Sequence, residues 1–566
     1  MKKLIVISIL TMLGSIKAQS PNINTTTKID SILSFRLLST GYIFEDAIDI
    51  IQNPVRLHEI DGNLFFSSLS DLKGTSTFFK DTTEDYLLVG MKNTYSSTSE
   101  ALLFLLSGYE IPLPNYYGTN GHVEVDSLLR TDTDGDGNPD TEYSKYERED
   151  ANESYNSLLG YIALELKRDS YSIGASFYKN TSSTKTKNPG TLLDPWGSFY
   201  SVSSTYDLNS QSLIQTEEGL GSDSREYTED LSIASLGGMY VFEDSTSLNL
   251  ILGYRTLKEL EERKTEYDVI TDYNPGGSEV HNKRSQGYYY RRFLFPGTGV
   301  EAYLQFKKPW GENNLFDAIL YGMTENQEKD KDFYEIREFY TGTYDDMPLG
   351  TRYTYQEDFF DRDFSKAEKS RRILALYLRN IVKASPMFRF GIGLGFRSEV
   401  LNEEYSIVER DSTYFAFNDG DDQILDPDDY TEITRENMVY DSLKSSVINY
   451  FFLPVGIEFR PLKNKEIYLR LGSCFTYYEM QDKYTINIKE YHPPQTIITY
   501  GDSSTIITTQ DTQLESRTSD SKTHHTETRF YYGASFTIWD RATLDIMNFA
   551  NLTDLTNWKV QIVIRF

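Results

Sequence analysis

The chain has 566 residues and a formal net charge of −29, from 85 acidic and 56 basic side chains. Such an acidic chain repels nucleic-acid phosphates, so its composition excludes a nucleic-acid-binding protein. Cys474 is its single cysteine, which excludes an intrachain disulfide. The chain is rich in aromatic residues, with 43 Tyr and 32 Phe, although only 39% of it is hydrophobic.

The first twenty residues, MKKLIVISILTMLGSIKAQS, have the order of a secretory signal peptide. Lys2 and Lys3 precede an apolar run from Leu4 to Leu13, and small or polar residues follow it around Ala18. A membrane-spanning helix would need roughly 20 apolar residues, which this run does not supply. The sequence therefore predicts that residues 1–18 are a cleaved signal peptide and that the protein is exported.

Residues 19–62 lack the alternation of a strand and include STGYIFEDAIDIIQNPVRLHEIDG at positions 39–62. This stretch contains Asn53 and Pro54. Proline restricts its predecessor and starts turns, so the pair has a plain structural interpretation as a turn.

The same stretch resembles the N-terminal segment of the long-chain fatty acid and toluene transporter family, the FadL/TodX type. In that family an Asn-Pro-Ala motif lies in a plug inside a β-barrel. Asn53 and Pro54 match the motif, Val55 replaces its Ala, and Arg56 stands where Gly is common. The resemblance implies a plug over 19–62 and passive uptake of hydrophobic small molecules of the fatty acid or aromatic type. PorV-type barrels, which serve protein secretion, have a similar N-terminal pattern.

A run of alternating carboxylates, DTDGDGNPD, follows in the segment 109–153. Ca²⁺ takes six to eight oxygen ligands, and D-x-D-x-D-G runs supply several of them from one loop. The spacing predicts calcium as a structural cofactor, although a solvated acidic loop remains the alternative. The candidate ligands are Asp132, Asp134, Asp136 and Asp140.

From residue 63 onward, two-periodic segments recur with one nearly all-apolar face. SLNLILGYR (247–255) and MFRFGIGLGFR (387–397) both show it, with Gly and Arg on the opposite face of the second. A lipid-facing barrel wall requires such faces, because every backbone polar group must pair and every outward side chain meets hydrocarbon. The pattern predicts an all-β fold: a transmembrane antiparallel β-barrel of 14–16 strands over residues 63–566.

The connections between these segments alternate in length, as in outer-membrane barrels. We expect the short ones to be periplasmic turns and the long ones to be extracellular loops. The short connections are 167–171, 242–246, 307–313, 383–387, 461–465 and 539–543. The long ones are 109–153, 185–226, 258–290, 341–365, 411–441 and 489–520.

The chain ends on NWKVQIVIRF, a strictly two-periodic stretch. Its pattern predicts the strand that closes the barrel. The terminal Phe566 resembles the C-terminal signal read by the barrel assembly machinery, which is therefore an expected partner together with outer-membrane lipids. These features predict a location in the outer membrane of a Gram-negative bacterium.

Two functions stay open at this point, and neither is enzymatic. No G-x-S-x-G or H-E-x-x-H motif occurs, and the histidines are scattered. The first function is passive uptake of hydrophobic small molecules across the outer membrane. The second is a structural or interaction barrel, such as a secretion-system component or a surface protein that binds a partner.

Overall fold

The structure is a computed structural model. It describes residues 34–70, 87–95, 98–111, 122–131, 139, 141–150, 152–187, 200–207, 212–273, 281–330, 333–347, 350–418, 429–462, 466–510, 514–538, 541–547 and 559–566. The helical elements are α1 (Phe35–Ser39), α2 (Ala47–Ile51) and a 3₁₀ turn (Leu57–Glu59). The first strands are β1 (Leu64–Ser70), β2 (Leu87–Tyr95), β3 (Thr98–Ile111), β4 (His122–Thr131), β5 (Thr141–Asp150), β6 (Asn152–Lys167), β7 (Tyr171–Lys187), β8 (Tyr200–Asp207), β9 (Ser212–Val241) and β10 (Ser247–Tyr273). They are followed by β11 (His281–Trp310), β12 (Asn314–Glu328), β13 (Tyr334–Met347), β14 (Gly350–Ser385), β15 (Phe388–Asn418), β16 (Tyr430–Phe459), β17 (Ile467–Tyr500), β18 (Thr505–Thr509), β19 (Arg517–Ile538), β20 (Ala542–Met547) and β21 (Lys559–Arg565).

The strands form one antiparallel sheet that closes on itself. Within the described residues, sixteen strands make the ring: β1, β2, β3, β6, β7, β9, β10, β11, β12, β14, β15, β16, β17, β19, β20 and β21. Of the other five, β8, β13 and β18 pair alongside the ends of longer strands. β5 pairs with β8, and β4 pairs with β5. The predicted all-β barrel of 14–16 strands is confirmed.

The closing contact joins the two ends of the chain. β21 pairs with β1 from Leu64↔Arg565 to Ser70↔Lys559. Gln561 is buried on the inward face, whereas Ile562 and Phe566 are exposed on the outward face. The last residues therefore form the closing strand, as their alternation predicts. The recognition of Phe566 by the assembly machinery stays a prediction.

A band of exposed apolar side chains surrounds the barrel next to its short turns. On β10, alternate residues from Leu248 to Tyr254 are 40–56% exposed, while Ile251 between them is buried. Neighbouring strands repeat this pattern. A wall that faces hydrocarbon requires such a band, and we call it the lipid band. Its exposed side chains include Leu164, Ile173, Leu236, Leu304, Leu376, Ile392, Leu394, Leu453 and Leu471.

Helices do not provide a membrane span in the described part of the chain. None of the helices there has both the length and the apolar character that crossing a membrane requires.

Several segments predicted as long loops are instead largely strand, and for them the loop prediction is wrong. β10 and β11 stay paired from Ser247↔Lys307 to Tyr273↔His281, through most of the segment 258–290. β13 and β14 likewise occupy most of 341–365. Beyond the lipid band neither face needs to be apolar, so the two-periodic hydrophobic pattern ends although Thr and Tyr still favour strands. The barrel wall thus extends well past the membrane.

Cysteine labelling tests the orientation of the barrel. We expect Ser224→Cys and Thr508→Cys to react with a membrane-impermeant maleimide on intact cells, because both sites are exposed on the extended side. Asp244→Cys and Glu312→Cys, on short turns, should react only after the outer membrane is disrupted. The native Cys474 is 3% exposed and gives little background. The reverse labelling pattern would contradict the orientation.

Candidate functional site

Residues 34–62 lie inside the barrel at its short-turn end, and we call them the plug. Their apolar side chains are buried against inward-facing residues of the wall in two clusters. Phe35 and Ile48 pack with Tyr161 and Leu231 in the first cluster. The plug therefore fills the lumen at the level of the lipid band. Its buried side chains include Phe35, Leu37, Ile43, Ile48, Ile51, Val55 and Leu57.

The two five-residue helices of the plug depend on their N-caps. Ser34 accepts a hydrogen bond from the Leu37 backbone N–H and so caps α1. Asp46 caps α2 in a capping box with Asp49. Helices this short are marginal in isolation, so the caps and the packing against the wall together hold them.

The wall is recessed where the plug touches it, because glycines face inward there. A Cβ atom at Gly174 would lie 2.0 Å from the Pro54 carbonyl oxygen, and one at Gly472 would lie 2.2 Å from the Gly41 nitrogen. At Gly456 it would lie 2.4 Å from the Thr40 carbonyl oxygen. The glycines on the inward faces of the strands therefore admit the plug backbone.

Asn53 and Pro54 form the turn between α2 and the 3₁₀ turn. The Asn53 side-chain oxygen accepts a hydrogen bond from the Val55 N–H at 3.2 Å, and its carbonyl accepts one from the Arg56 N–H at 3.1 Å. The Ser172 hydroxyl on β7 donates to the Val55 carbonyl at 2.8 Å. The motif residues thus hold a turn against the wall.

One ion-pair network fixes α1 to the wall. Arg36 donates two hydrogen bonds to the Glu458 carboxylate, at 2.9 and 2.8 Å. Arg470 donates to the same carboxylate at 3.1 Å and to Asp545 at 2.5 Å. Three strands and the plug therefore share one buried set of charges.

A second network surrounds Glu45. Arg379 on β14 donates to Glu45 at 2.6 Å, to Asp317 at 2.5 Å and to the Ile43 carbonyl at 3.0 Å. Arg56 donates to Glu45 at 3.0 Å. Burial opposes ionisation of Glu45, but Arg379, Arg56 and a nearby lysine hold its pKa well below the usual value. Glu45 is therefore a fixed negative charge that ties the plug to the wall.

The end of the plug is attached separately, beside β1. The His58 ring lies 2.7 Å from the Glu165 carboxylate, which also accepts from the His58 N–H at 2.7 Å. The Lys92 ammonium donates to the carbonyls of Ile60 and Gly62, at 2.5 and 2.9 Å. These contacts hold the C-terminal end of the plug where the chain continues into β1.

The environment of Asp46 leads us to expect that docking of the plug depends on pH. Burial, reinforced by the Asp545 carboxylate, raises the pKa of Asp46 to about 6, although Arg36 and Arg470 oppose the shift. Burial and the Asp46 carboxylate also raise the pKa of Asp49 well above its usual value. A raised pKa means that the docked state binds the proton more tightly, so its stabilisation is lost as pH rises through about 6.

We expect plug amides to exchange hydrogen more slowly at pH 5 than at pH 7.5, after correction for intrinsic exchange. Asp46→Asn keeps an N-cap but removes the titrating carboxyl, so it should reduce this difference. Glu59 serves as the matched control, because Arg56 and Lys307 hold its pKa at about 2 against burial. Glu59→Gln should leave the difference unchanged. An unaltered pH response in Asp46→Asn would contradict the assignment.

Beyond the plug, on the side away from the short turns, a cluster of buried charged side chains faces the lumen. Arg255 donates to Glu301 at 3.0 Å and to Glu325 at 3.1 Å, and the Tyr321 hydroxyl donates to Glu301 at 3.2 Å. These side chains face inward from β10, β11 and β12. One arginine therefore pairs with two carboxylates, and a tyrosine hydroxyl donates a further hydrogen bond to one of them.

Farther from the short turns lies an apolar group, which we call the aromatic cluster. Phe293 and Phe295 precede the exposed apolar side chains on the outward face of β11, the first of which is Val300. They lie on the inward face of that strand together with buried Tyr303. The cluster is thus inside the barrel beyond the lipid band. Sequence patterning missed it, because the outward face there is no longer apolar. Its buried members are Phe293, Phe295, Phe333, Phe364, Ala367, Ile407 and Tyr440.

The predicted calcium ligands Asp132, Asp134, Asp136 and Asp140 lie outside the described residues. Among the residues that are described, no group of three or more His, Cys, Asp or Glu side chains is placed to hold a metal ion.

Comparisons with known proteins give similarity to solved structures only. No model of a known protein family matches the sequence, and no curated protein matches it. The chain is similar to a solved structure described as the crystal structure of a Pseudomonas aeruginosa FadL homologue. The match covers 94% of this chain and 98% of that chain, with 8% identity and a TM-score of 0.28. FadL homologues belong to the family that the segment around Asn53 and Pro54 resembles, but a match this loose transfers neither residues nor function.

Proposed function

We propose that this chain is an outer-membrane barrel through which hydrophobic small molecules cross passively. The observation that carries the proposal is the aromatic cluster inside the lumen, beyond the lipid band. An apolar lining there has no lipid to face, so it favours apolar solutes rather than sugars or ions. The plug below it would keep hydrophilic solutes out.

Intact cells that express the barrel provide the test. Uptake of the hydrophobic dye 1-N-phenylnaphthylamine should rise above that of cells with an empty vector. Hydrolysis of nitrocefin by a periplasmic β-lactamase, which reports entry of a hydrophilic solute, should stay unchanged. Phe364→Ser should lower dye uptake, whereas Phe390→Ser on the outward face should not. Dye uptake equal to that of the empty vector would contradict the proposal.

A structural or interaction barrel is the second candidate, and the wall beyond the membrane favours it. β14 (Gly350–Ser385) is 36 residues long, whereas crossing a membrane takes roughly 9–11 residues per strand. Deleting residues 20–60 distinguishes the two functions. A transporter should become leaky or lose uptake, whereas a partner-binding barrel should still retain its partner.

Two further expectations from the sequence belong to this proposal. Phe566 would be read by the barrel assembly machinery, since it ends the closing strand with its ring exposed outward. Calcium would stabilise the loop around Asp132–Asp140 through its alternating carboxylates.

A further inference from the structure

Phe333 is buried in the lumen where the pairing of the wall is interrupted between β12 and β13. β12 and β13 run in the same direction between the same two neighbours, β11 and β14. They would be one continuous strand if the chain did not leave the ladder after Glu328. The Lys329 N–H still donates to the Ala367 carbonyl at 2.9 Å, and the Asp330 N–H to the Leu294 carbonyl at 2.8 Å. A strand that gives up ladder positions in this way needs a compensating contact.

That contact is a slot that holds one aromatic ring. Phe333 stacks on Phe293 at a centroid distance of 4.2 Å and 18° between the ring planes. The edges of Phe364 and Phe295 meet it at 4.6 and 4.8 Å, with planes at 85° and 78°. Tyr405 lies at 6.2 Å, nearly parallel. Stacked and edge-to-face neighbours together select a planar ring over a flexible acyl chain.

Two cations lie against rings that form the slot. The Lys369 ammonium lies 4.0 Å from the centroid of Phe295, and the Arg291 guanidinium 4.3 Å from that of Phe293. Both cations also pair with carboxylates, Lys369 with Glu259 and Arg291 with Glu261. The walls of the slot are therefore held by ion pairs and cation–π contacts, while Phe333 comes from the break in the strand.

We propose that this slot is a binding site for an apolar ligand with a planar aromatic ring, and that Phe333 is its resident occupant. The ligand exchanges with Phe333 rather than filling an empty cavity. This inference rests on the proposed function for the entry of the ligand into the lumen. Binding of the ligand in the slot does not depend on that function. Because Phe333 competes for the slot, the apparent Kd equals the intrinsic Kd divided by the fraction of molecules in which the slot is free.

The test uses ¹⁹F NMR on the full chain in amphipol, with two six-carbon probes that each carry one fluorine. Fluorobenzene should bind to the wild type, and 1-fluorohexane should bind more weakly. Phe333→Ala should tighten fluorobenzene binding, because the competitor is removed. Phe293→Ala should weaken it by about tenfold, because a stacked wall is lost. If Phe333 had only a structural role, the two substitutions would not change the affinity for fluorobenzene in opposite directions.

Phe452→Ala is the matched control, since Phe452 is a buried lumen residue at the level of the plug and stacks on Tyr377. If the wild type binds no fluorobenzene, or if Phe452→Ala gains as much affinity as Phe333→Ala, the gain reflects an engineered cavity and the proposal fails. Binding as expected without dye uptake in cells would leave the site in place and remove the transport function instead.

Discussion

Replacing Gly174 by alanine is expected to unseat the turn of the plug at Asn53 and Pro54. The new Cβ would lie 2.0 Å from the Pro54 carbonyl oxygen and 2.4 Å from its carbon, both backbone atoms that cannot rotate away. Overpacking of this kind costs about 1–3 kcal/mol. Because the barrel is held by its own ladder, the cost should fall on docking of the plug.

Limited proteolysis of the plug in the folded barrel measures this effect. Gly160→Ala is the matched control, because a Cβ there meets nothing within 4 Å. It lies on β6, the strand that pairs with β7, so both variants add one methyl group to neighbouring strands. Gly174→Ala should expose the plug to protease, and Gly160→Ala should not. Equal protection in the two variants would show that the plug does not press on β7.

Arg379→Met should have a larger effect, because it removes the cation at the centre of the second ion-pair network. Asp317, buried on the wall, and Glu45, on the plug, would both lose their closest positive charge. Removing one partner of a buried pair costs about 3–5 kcal/mol, mostly because the remaining charge is left unpaired. We expect loss of plug protection and reduced assembly of the barrel.

Arg410→Met is the matched control, since Arg410 also pairs with an aspartate, Asp361, but its side chain is half exposed. Exposed pairs contribute about 0–1 kcal/mol, so this variant should behave like the wild type. Proteolysis of the plug and the yield of heat-modifiable barrel provide the two measurements. Similar results for the two arginine variants would contradict a central role for Arg379.

The membrane-facing wall was predictable because its pattern is local. Alternation around Leu250 and Ile392 identified outward residues, and both are exposed as expected. The same pattern failed beyond the lipid band, where polar residues such as Thr256 and Lys258 replace the apolar side chains of the outward face. The inward glycines were visible in the sequence, but their purpose was not, since it depends on a plug backbone far away in the chain.

The ion pairs of the plug could not be read from the sequence. Arg36 and Glu458 are 422 positions apart, and Glu45 and Arg379 are 334 apart. Only the closed ring of strands brings them together. The slot around Phe333 could not be predicted for a related reason. The interruption between β12 and β13 can be recognised only from the structure, in which both strands have β11 and β14 as neighbours.

The central claim is that residues 34–62 close the lumen of a continuous barrel. Single-channel conductance in a planar bilayer tests it most directly, with the wild type compared with a variant that lacks residues 34–60. The wild type should remain closed to ions, and the deletion variant should show large, stable conductance steps. A wild type that conducts as well as the deletion variant would contradict the claim.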